Sequence, residues 1–246
     1  MKWVHQYLNL TLAQPEWNLA LDEALLEECA EGGPEVLRVW ESPVCFIVLG
    51  LSGRAEREVD LEACHRDGMP VLRRISGGGT VLLGPGCLNY TLILKKDRDP
   101  ALAKVESSHD YILSKLTAGL RRFHPDLRHE GISDMAVGGQ KVSGNAQRRI
   151  RGAVLLHGTL LYRFDFSPVE TYLRFPERRP AYRRDRPHRQ FLRNLQTDSA
   201  SLKQALRETW GGTEDMTGWP EARTASLVAR RYAPERERLR AVVEVA

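Results

Sequence analysis

No apolar run in this chain approaches the roughly 18 residues that a membrane-crossing helix needs, which excludes such a helix within these residues. The N-terminal stretch Met1-Lys2-Trp3-Val4-His5-Gln6 lacks the long apolar centre of a signal peptide. Both absences lead us to expect a cytoplasmic protein. Cysteine is scarce as well. Cys29, Cys45, Cys64 and Cys87 form no Cys-x-x-Cys pair and have no matching histidine ligands. That argues against a zinc site or a disulfide framework and for packed, idle thiols. No internal repeat or low-complexity linker divides the 246 residues, a length that one large domain with a good core can use. Bulk charge is nearly balanced at +4, so any strongly basic surface must be local. It is: between Arg174 and Arg193 eight arginines stand against Glu177 and Asp185.

What is present reads as strands in the middle and helices at both ends. Pro15-Glu16-Trp17 opens a helix through Leu26, with proline in the first turn and Gly32-Gly33-Pro34 beyond its end. Strands are expected at 36–40, 45–50, 70–74, 81–83, 88–94 and 154–162, the second of them buried on both faces because it is apolar throughout. Helices are expected at 60–67, 101–124, 201–209 and 223–232, with Tyr111, Ile112, Leu116, Leu120 and Phe123 near one face of the second. Residues 135–144 read as a hairpin turning at Gly138-Gly139. This order of elements predicts one α+β domain over residues 1–246, with a motif-bearing core at about 15–165 and a basic loop and C-terminal helices over 166–246.

The stretch Arg73-Arg74-Ile75-Ser76-Gly77-Gly78-Gly79-Thr80-Val81 carries the first chemical signal. Consecutive glycines let backbone N–H groups approach an anion and admit positive φ angles. No Gly-Lys-Ser/Thr follows, so it is not a P-loop, and a tight turn between strands is the competing reading. Alternation along an extended strand would put Arg74 and Ser76 on one side, and a guanidinium fork suits phosphate oxygens. A second glycine-flanked basic segment follows: Gly138-Gly139-Gln140-Lys141-Val142-Ser143-Gly144-Asn145-Ala146-Gln147. Lys141 taken alone reads as a solvated hairpin lysine, but its small and polar neighbours are better pocket lining than core. His157-Gly158-Thr159 then interrupts an apolar strand, as a site residue or as a satisfied core histidine.

Taken in order, Arg-Arg-x-Ser-Gly-Gly-Gly, Ile132-Ser133-Asp134, Lys141-Val-Ser-Gly-Asn-Ala-Gln and His157-Gly-Thr-Leu-Leu resemble the lipoate–protein ligase family, of the biotin/lipoate ligase and octanoyltransferase superfamily. The helix Trp17-Asn18-Leu19-Ala20-Leu21-Asp22-Glu23-Ala24 is similar to that family's N-terminal motif. The resemblance implies a fold of the class II aminoacyl-tRNA synthetase/biotin ligase type, with a mostly antiparallel or mixed central sheet flanked by helices. It also implies a two-step reaction. Lipoate attacks the α-phosphate of ATP to give lipoyl-AMP, and an acceptor lysine then takes the acyl group. On that resemblance Lys141 is the catalytic cation between carboxyl and phosphate. Arg74, Gly78, Gly79, Thr80, Val81, Leu82, Asp134 and Lys141 would hold ATP. Arg74, Ser76, Gly77, Gly78, Lys141, Gly144, Ala146, His157 and Gly158 would hold lipoate, and Asp134 would meet Mg²⁺. The acceptor would be a lipoyl domain of an E2 subunit or a glycine-cleavage H-type protein, with a separate accessory domain protein as a further partner.

The chain departs from the family pattern at Gly50-Leu51-Ser52-Gly53-Arg54, where family ligases commonly carry Gly-Arg-x-Gln, and at Leu83-Gly84, where they tend to have His-Asp. Octanoyltransferases or amidotransferases of the same superfamily are the alternative, but they need a cysteine nucleophile. The loop Arg128–Asp134 ahead of the lysine motif has none, Leu155-Leu156 stands before His157, and Cys87 reads as packing. A second alternative is a non-catalytic protein whose arginine cluster binds nucleic acid through phosphates, against which the few aromatics there argue. Docking of an acidic acceptor is the reading we prefer for that cluster, with electrostatics acting mainly on association rate.

Overall fold

The computed structural model describes Val4 and residues 6–245, so most of the N-terminal segment just read as free of a signal peptide lies outside the described residues. The chain opens with β1 (Gln6–Asn9), α1 (Pro15–Ala30), β2 (Val36–Trp40) and β3 (Phe46–Leu49). Then come α2 (Ala55–Glu58), α3 (Leu61–Asp67), β4 (Val71–Arg73), β5 (Val81–Leu83), β6 (Cys87–Lys95) and α4 (Val105–Leu120). The central strands are β7 (Arg128–Glu130), β8 (Asp134–Val137), β9 (Gln140–Arg149) and β10 (Ala153–Leu161). The last part holds α5 (Val169–Tyr172), α6 (His188–Phe191), α7 (Ser199–Trp210), β11 (Glu214–Asp215), α8 (Glu221–Leu227) and α9 (Ala233–Val245).

Two sheets result. The larger has the order β11-β1-β2-β6-β10-β9-β8-β7, and the smaller the order β4-β3-β5. In the larger, β1 runs parallel to β2 and β11 while the pairs from β2 to β7 are antiparallel, so the expected mixed α+β architecture is the observed one. Side-chain alternation on β10 builds two cores. Val154, Leu156 and Leu160 face α4 and α7, where Ile112, Leu116, Leu120, Leu206 and Trp210 are fully enclosed. Leu155 and Leu161 face α1 and the small sheet. β3, apolar throughout, is the middle strand of that small sheet and is buried along its length, as its composition predicts.

The differences from the sequence expectation have physical reasons. Strand β7 is wholly polar and shows no alternation; its pairing with β8 alone makes it a strand. β9 runs on through Asn145-Ala146-Gln147-Arg148-Arg149, five residues past the expected end, because β8 and then β10 supply backbone partners along it. Its turn does lie at Gly138-Gly139, whose φ angles of +58° and +75° suit a two-residue hairpin. The helix expected at 101–124 is shorter, and a 3₁₀ turn at Pro100–Ala103 precedes it.

The C-terminal helices α8 and α9, joined by a π-helical turn at Val228–Tyr232, are tied to α1 by a ladder of ion pairs. Glu16 pairs with Arg236, Glu23 with Arg231 at 2.9 Å, Glu27 with Arg230 at 3.8 Å and Glu31 with Arg223 at 2.6 Å. Tyr232 also donates its hydroxyl to Glu23 at 2.7 Å. Partly exposed pairs contribute about 0.2–1 kcal/mol each and weaken with salt. We therefore expect Tm to fall by a few degrees between low and high NaCl, and most of that salt dependence to vanish in a Glu23→Gln/Glu27→Gln/Glu31→Gln variant followed by thermal unfolding.

Candidate active site

The two arginines before the glycines do different work. Arg73 donates to Glu235 at 2.6 Å and to the carbonyls of Gly50 and Gly53 at 2.9 and 2.7 Å, so it pins the loop after β3 to α9. Arg74 is buried, and that burial pushes its pKa down to about 10, which still leaves it cationic at neutral pH. It donates to Ser76 Oγ at 3.0 Å, to Gly77 O at 2.5 Å and to Gly79 O at 2.9 Å. The Ser76 carbonyl is taken by Leu51 N–H at 2.8 Å. All these peptides are trans, so the N–H groups of Gly77, Gly78 and Thr80 point opposite to the captured carbonyls. None of the three has a partner among the described residues. Arg74 thus shapes a row of backbone donors on the open side of the loop. Gly78, at φ +87°, holds the one turn here closed to other residues. The Thr80 hydroxyl is engaged by Glu58 at 2.6 Å. Val81 and Leu82 continue as β5.

Across the groove stands β9. Asp134 pairs with Gly144 and Met135 with Ser143, but Ala136 pairs with Lys141, so Val142 is an extra residue. Such a bulge re-aims what precedes it. Regular alternation would put Lys141 and Gly144 on opposite faces; the bulge puts both on the face of Asp134. There Lys141 Nζ lies 2.8 Å from Asp134 Oδ1, and Tyr182 donates to Asp134 Oδ2 at 2.8 Å. A Cβ on Gly144 would come within 2.6 Å of Lys141 Nζ, so the missing side chain is the space the ammonium uses. Next along that face Ala146 pairs with His157 of β10, and a Cβ on Gly78 would lie 3.8 Å from Ala146 Cβ. Ser76 Oγ is 2.6 Å from His157 Nε2. The structure therefore brings Arg74, Ser76, the glycines, Lys141, Asp134, Gly144, Ala146 and His157 close together, with Arg74 and Ser76 buried behind the glycine loop.

Gly158 is different. The side on which its Cβ would project meets Asn145 Oδ1 at 1.8 Å and the Tyr90 hydroxyl at 2.9 Å, on the α4 side of the sheet. It makes room for the Tyr90–Asn145 hydrogen bond behind the site rather than opening toward the glycine loop. No group of three or more His, Cys, Asp or Glu side chains able to hold a metal occurs among the described residues. Asp134 offers one carboxylate, already shared between Lys141 and Tyr182.

Sequence reasoning missed Asp22 and Arg38 as parts of this site. Arg38, fully buried, donates to Asp22 at 2.5 Å, and Asp22 Oδ2 faces His157 Nδ1 at 3.5 Å and accepts from Thr91 at 2.7 Å. The signal was available: a lone arginine inside the apolar run Val36-Leu37-Arg38-Val39-Trp40 has to be paired. Tyr182 was likewise hidden in the arginine-rich segment. That segment is no free basic tail. Arg183 is buried between the Phe175 and Phe191 rings, Arg186 donates to Gly139 O at 2.8 Å, and Arg193 N–H reaches Lys141 O at 2.9 Å. Arg179 pairs with Asp185 and Arg189 with Glu170. Two open cavities of about 630 and 590 Å³ lie along α9, and neither is lined by glycine-loop or lysine-hairpin residues.

Glu235 lets the Arg73 clamp be tested. Burial works against its charge, but hydrogen bonds from Arg238 and Arg73 outweigh that and hold its carboxyl below the ordinary 4.5. A folded pKa below the unfolded one gives stability that is complete above about pH 4.5 and is lost as pH falls through the depressed value. Between pH 6 and 3 the wild-type Tm should therefore drop further than that of Glu235→Gln.

The mixed-sheet α+β frame thus sets a row of backbone donors, shaped by a buried arginine, near an aimed lysine, and groups of this kind are complementary to anions. The profile of the lipoyl protein ligase A/B catalytic domain matches residues 14–208, and the chain belongs to that family. A protein of Aeropyrum pernix provisionally named lipoate-protein ligase A is 38% identical over 162 residues, covering 66% of this chain and 59% of its own length. The chain spans about half the length of such relatives, 46% for one from Mycoplasma pneumoniae. Octanoyltransferase LipM of Geobacillus kaustophilus is 28% identical over 243 residues, covering 87% of this chain and 86% of its own. Among solved structures, lipoate-protein ligase A bound with ATP superposes with a TM-score of 0.81 at 22% identity, covering 96% of this chain and 98% of that one. The bipartite lipoate protein ligase of Thermoplasma acidophilum, described together with its E2 lipoyl domain, gives 0.81 at 22% identity, with 98% and 97% covered. These two share the fold.

Proposed function

We propose that this chain is the catalytic domain of an ATP-dependent lipoate–protein ligase. The observation that carries the reading is the bulged hairpin that sets Lys141 over Gly144, across the groove from the N–H groups of Gly77, Gly78 and Thr80. A carboxylate and the α-phosphate of ATP repel each other as they meet, and the pentacoordinate phosphate builds charge. Lys141 neutralises both, Asp134 orients Lys141, and the glycine loop donates to phosphate oxygens. Arg74 acts through that loop, since its fork is spent on Gly77 and Gly79. Magnesium fits as an ion carried by the ATP phosphates, with Asp134 supplying at most one carboxylate. The acyl chain lies toward Ala146 and His157; its four methylenes contribute about 3 kcal/mol. The acceptor lysine of a lipoyl domain then attacks the acyl-adenylate and releases AMP. Exposed Arg174, Arg178 and Arg184, on the segment whose Tyr182 reaches Asp134, suit an acidic acceptor.

The test uses radiolabelled lipoate or octanoate with Mg·ATP, with and without a lipoyl domain. Acyl-adenylate and pyrophosphate should form in both, and labelled acceptor only in the second. The relative named as an octanoyltransferase, covering most of the chain, supports a second reading: acyl transfer from a carrier thioester without ATP. The cysteines oppose it. Cys87 is wholly enclosed, with burial raising its thiol well above the ordinary value, and burial pushes the Cys64 thiol up to about 12 and that of Cys29 to about 11. Cys45 is half-buried, its thiol raised for the same reason. Cys87→Ala should keep acyl-adenylate formation within a few-fold of wild type. ATP-independent transfer lost in that variant would favour the second reading.

A further inference from the structure

An unbroken line of polar groups crosses the molecule from α1 to the glycine loop. Arg38 holds Asp22, Asp22 faces His157 Nδ1, His157 Nε2 meets Ser76 Oγ, and Ser76 Oγ accepts from Arg74 Nε. We propose that Asp22, anchored by Arg38, is a positioning residue that acts through the tautomer of His157 to fix Ser76 and hence the donor row of the glycine loop. Its kinetic consequence rests on the ligase reading; the tautomer does not.

The argument is one of donors and acceptors. Asp22 is enclosed beside the Arg38 guanidinium. Burial opposes its charge, but Arg38, His157 and Thr91 outweigh that and lower its pKa, so it is a carboxylate with no proton to give. The ring nitrogen facing it must therefore carry the hydrogen. At the other end Ser76 Oγ already accepts from Arg74, and its own hydrogen has one acceptor within reach, His157 Nε2. Both ends demand the same tautomer, proton on Nδ1 and lone pair on Nε2. Ser76 in that state is locked between His157 and Arg74. Arg74 in turn holds Gly77 O and Gly79 O, which aims the N–H groups of Gly78 and Thr80.

The constellation has the residue types of a nucleophilic Ser-His-Asp triad, but the geometry excludes that role here. Ser76 has no exposed surface, and Asp22 is charge-paired with Arg38 instead of being free to stabilise an imidazolium.

Asp22→Asn makes the test. Arg38 requires the amide oxygen, which turns the NH₂ toward His157 and Thr91 and puts two donors face to face. His157 must then shift its proton to Nε2, leaving the Ser76 hydroxyl without an acceptor. In ¹⁵N-labelled protein near neutral pH, with signals assigned through His157→Gln, wild-type His157 should show a protonated Nδ1 and a bare Nε2, and Asp22→Asn the reverse. The kcat of acyl-adenylate formation should fall about 10²-fold in Asp22→Asn. KM values for acid and ATP should change little, because the loop donors act on charge that develops in the transition state. Should Asp22→Asn not fold, the wild-type spectrum alone decides. A wild-type His157 protonated on Nε2, or on both nitrogens, overturns the proposal, as does an unchanged tautomer in folded Asp22→Asn or a loss confined to KM. A wild-type protein with the expected tautomer but no adenylation of any acid would sink the ligase reading and leave the relay standing.

Discussion

Replacing Lys141 with alanine should lower the rate of acyl-adenylate formation about a thousandfold while leaving the protein folded. At about 4 Å and an effective dielectric near 20, a unit charge is worth roughly 4 kcal/mol, and each 1.36 kcal/mol is about tenfold in rate. The side chain is partly exposed and its partner Asp134 keeps the Tyr182 hydroxyl, so the fold has little reason to suffer. Arginine should not rescue it. The ammonium occupies the space left by the missing Cβ of Gly144, and a planar guanidinium there would reach Asp134 with both nitrogens and leave the groove. Pyrophosphate release with lipoate and Mg·ATP measures the effect; a fall of less than tenfold would remove Lys141 from the chemistry.

Gly50→Ala should be the second large loss, and for a steric reason. A Cβ at Gly50 would stand 2.0 Å from Gly78 O, a contact between two backbones with no flexible side chain to yield. One side cannot move freely, since Gly50 directly follows β3 and its carbonyl is held by Arg73; the other is gathered by Arg74. The glycine loop must shift by an ångström or more. Overpacking of this kind costs about 1–3 kcal/mol, equal to several degrees in Tm for a chain of this size. A displacement of about 1 Å at reacting groups can cost about 10²-fold in rate. Gly79→Ala is the internal control for stability: nothing lies within 4 Å of its Cβ and its φ is not positive, so its Tm should match wild type. Equal Tm values for both variants would mean that the two loops do not touch in solution.

How far the sequence announced all this differs from residue to residue. The helices and inner strands were legible because periodicity reports burial, and burial made them. The Arg74–Ser76 pairing was legible because alternation over two residues is local. Lys141 was legible as a motif but not as a geometry. Nothing in Lys-Val-Ser-Gly shows that Val142 is supernumerary; only the register against β8 reveals it. Gly158 was legible as a close approach but not in its direction, for the same reason. A glycine inside an apolar strand signals close approach, yet the sequence does not say from which face, and the approach comes from Tyr90 and Asn145 behind the sheet. Asp22, Arg38 and Tyr182 went unassigned because their partners lie 16 to 135 residues away along the chain. The arginine-rich segment reads as a docking surface by composition; within it Arg186 is spent on Gly139 O of the lysine hairpin and Arg183 on the Phe175 and Phe191 rings.

The bulge at Val142 makes this site a matter of parity. Along a regular strand, facing in or out follows from odd or even separation, and no choice of side chain can alter it. Lys141 and Gly144, three positions apart, share a face only because one residue between them goes uncounted by the neighbouring strand. Inserting one ordinary residue between Lys141 and Gly144, with the bulge kept, would remove no polar group, yet it would turn Lys141 away from Asp134 to the face of Met135; deleting Val142 would instead leave Lys141 and Gly144 in regular alternation on one face. A one-residue insertion between 141 and 144 is thus a change of a kind distinct from any substitution here. It inverts the side on which Lys141 stands in a single step, and loss of one residue from the same segment is what would restore it.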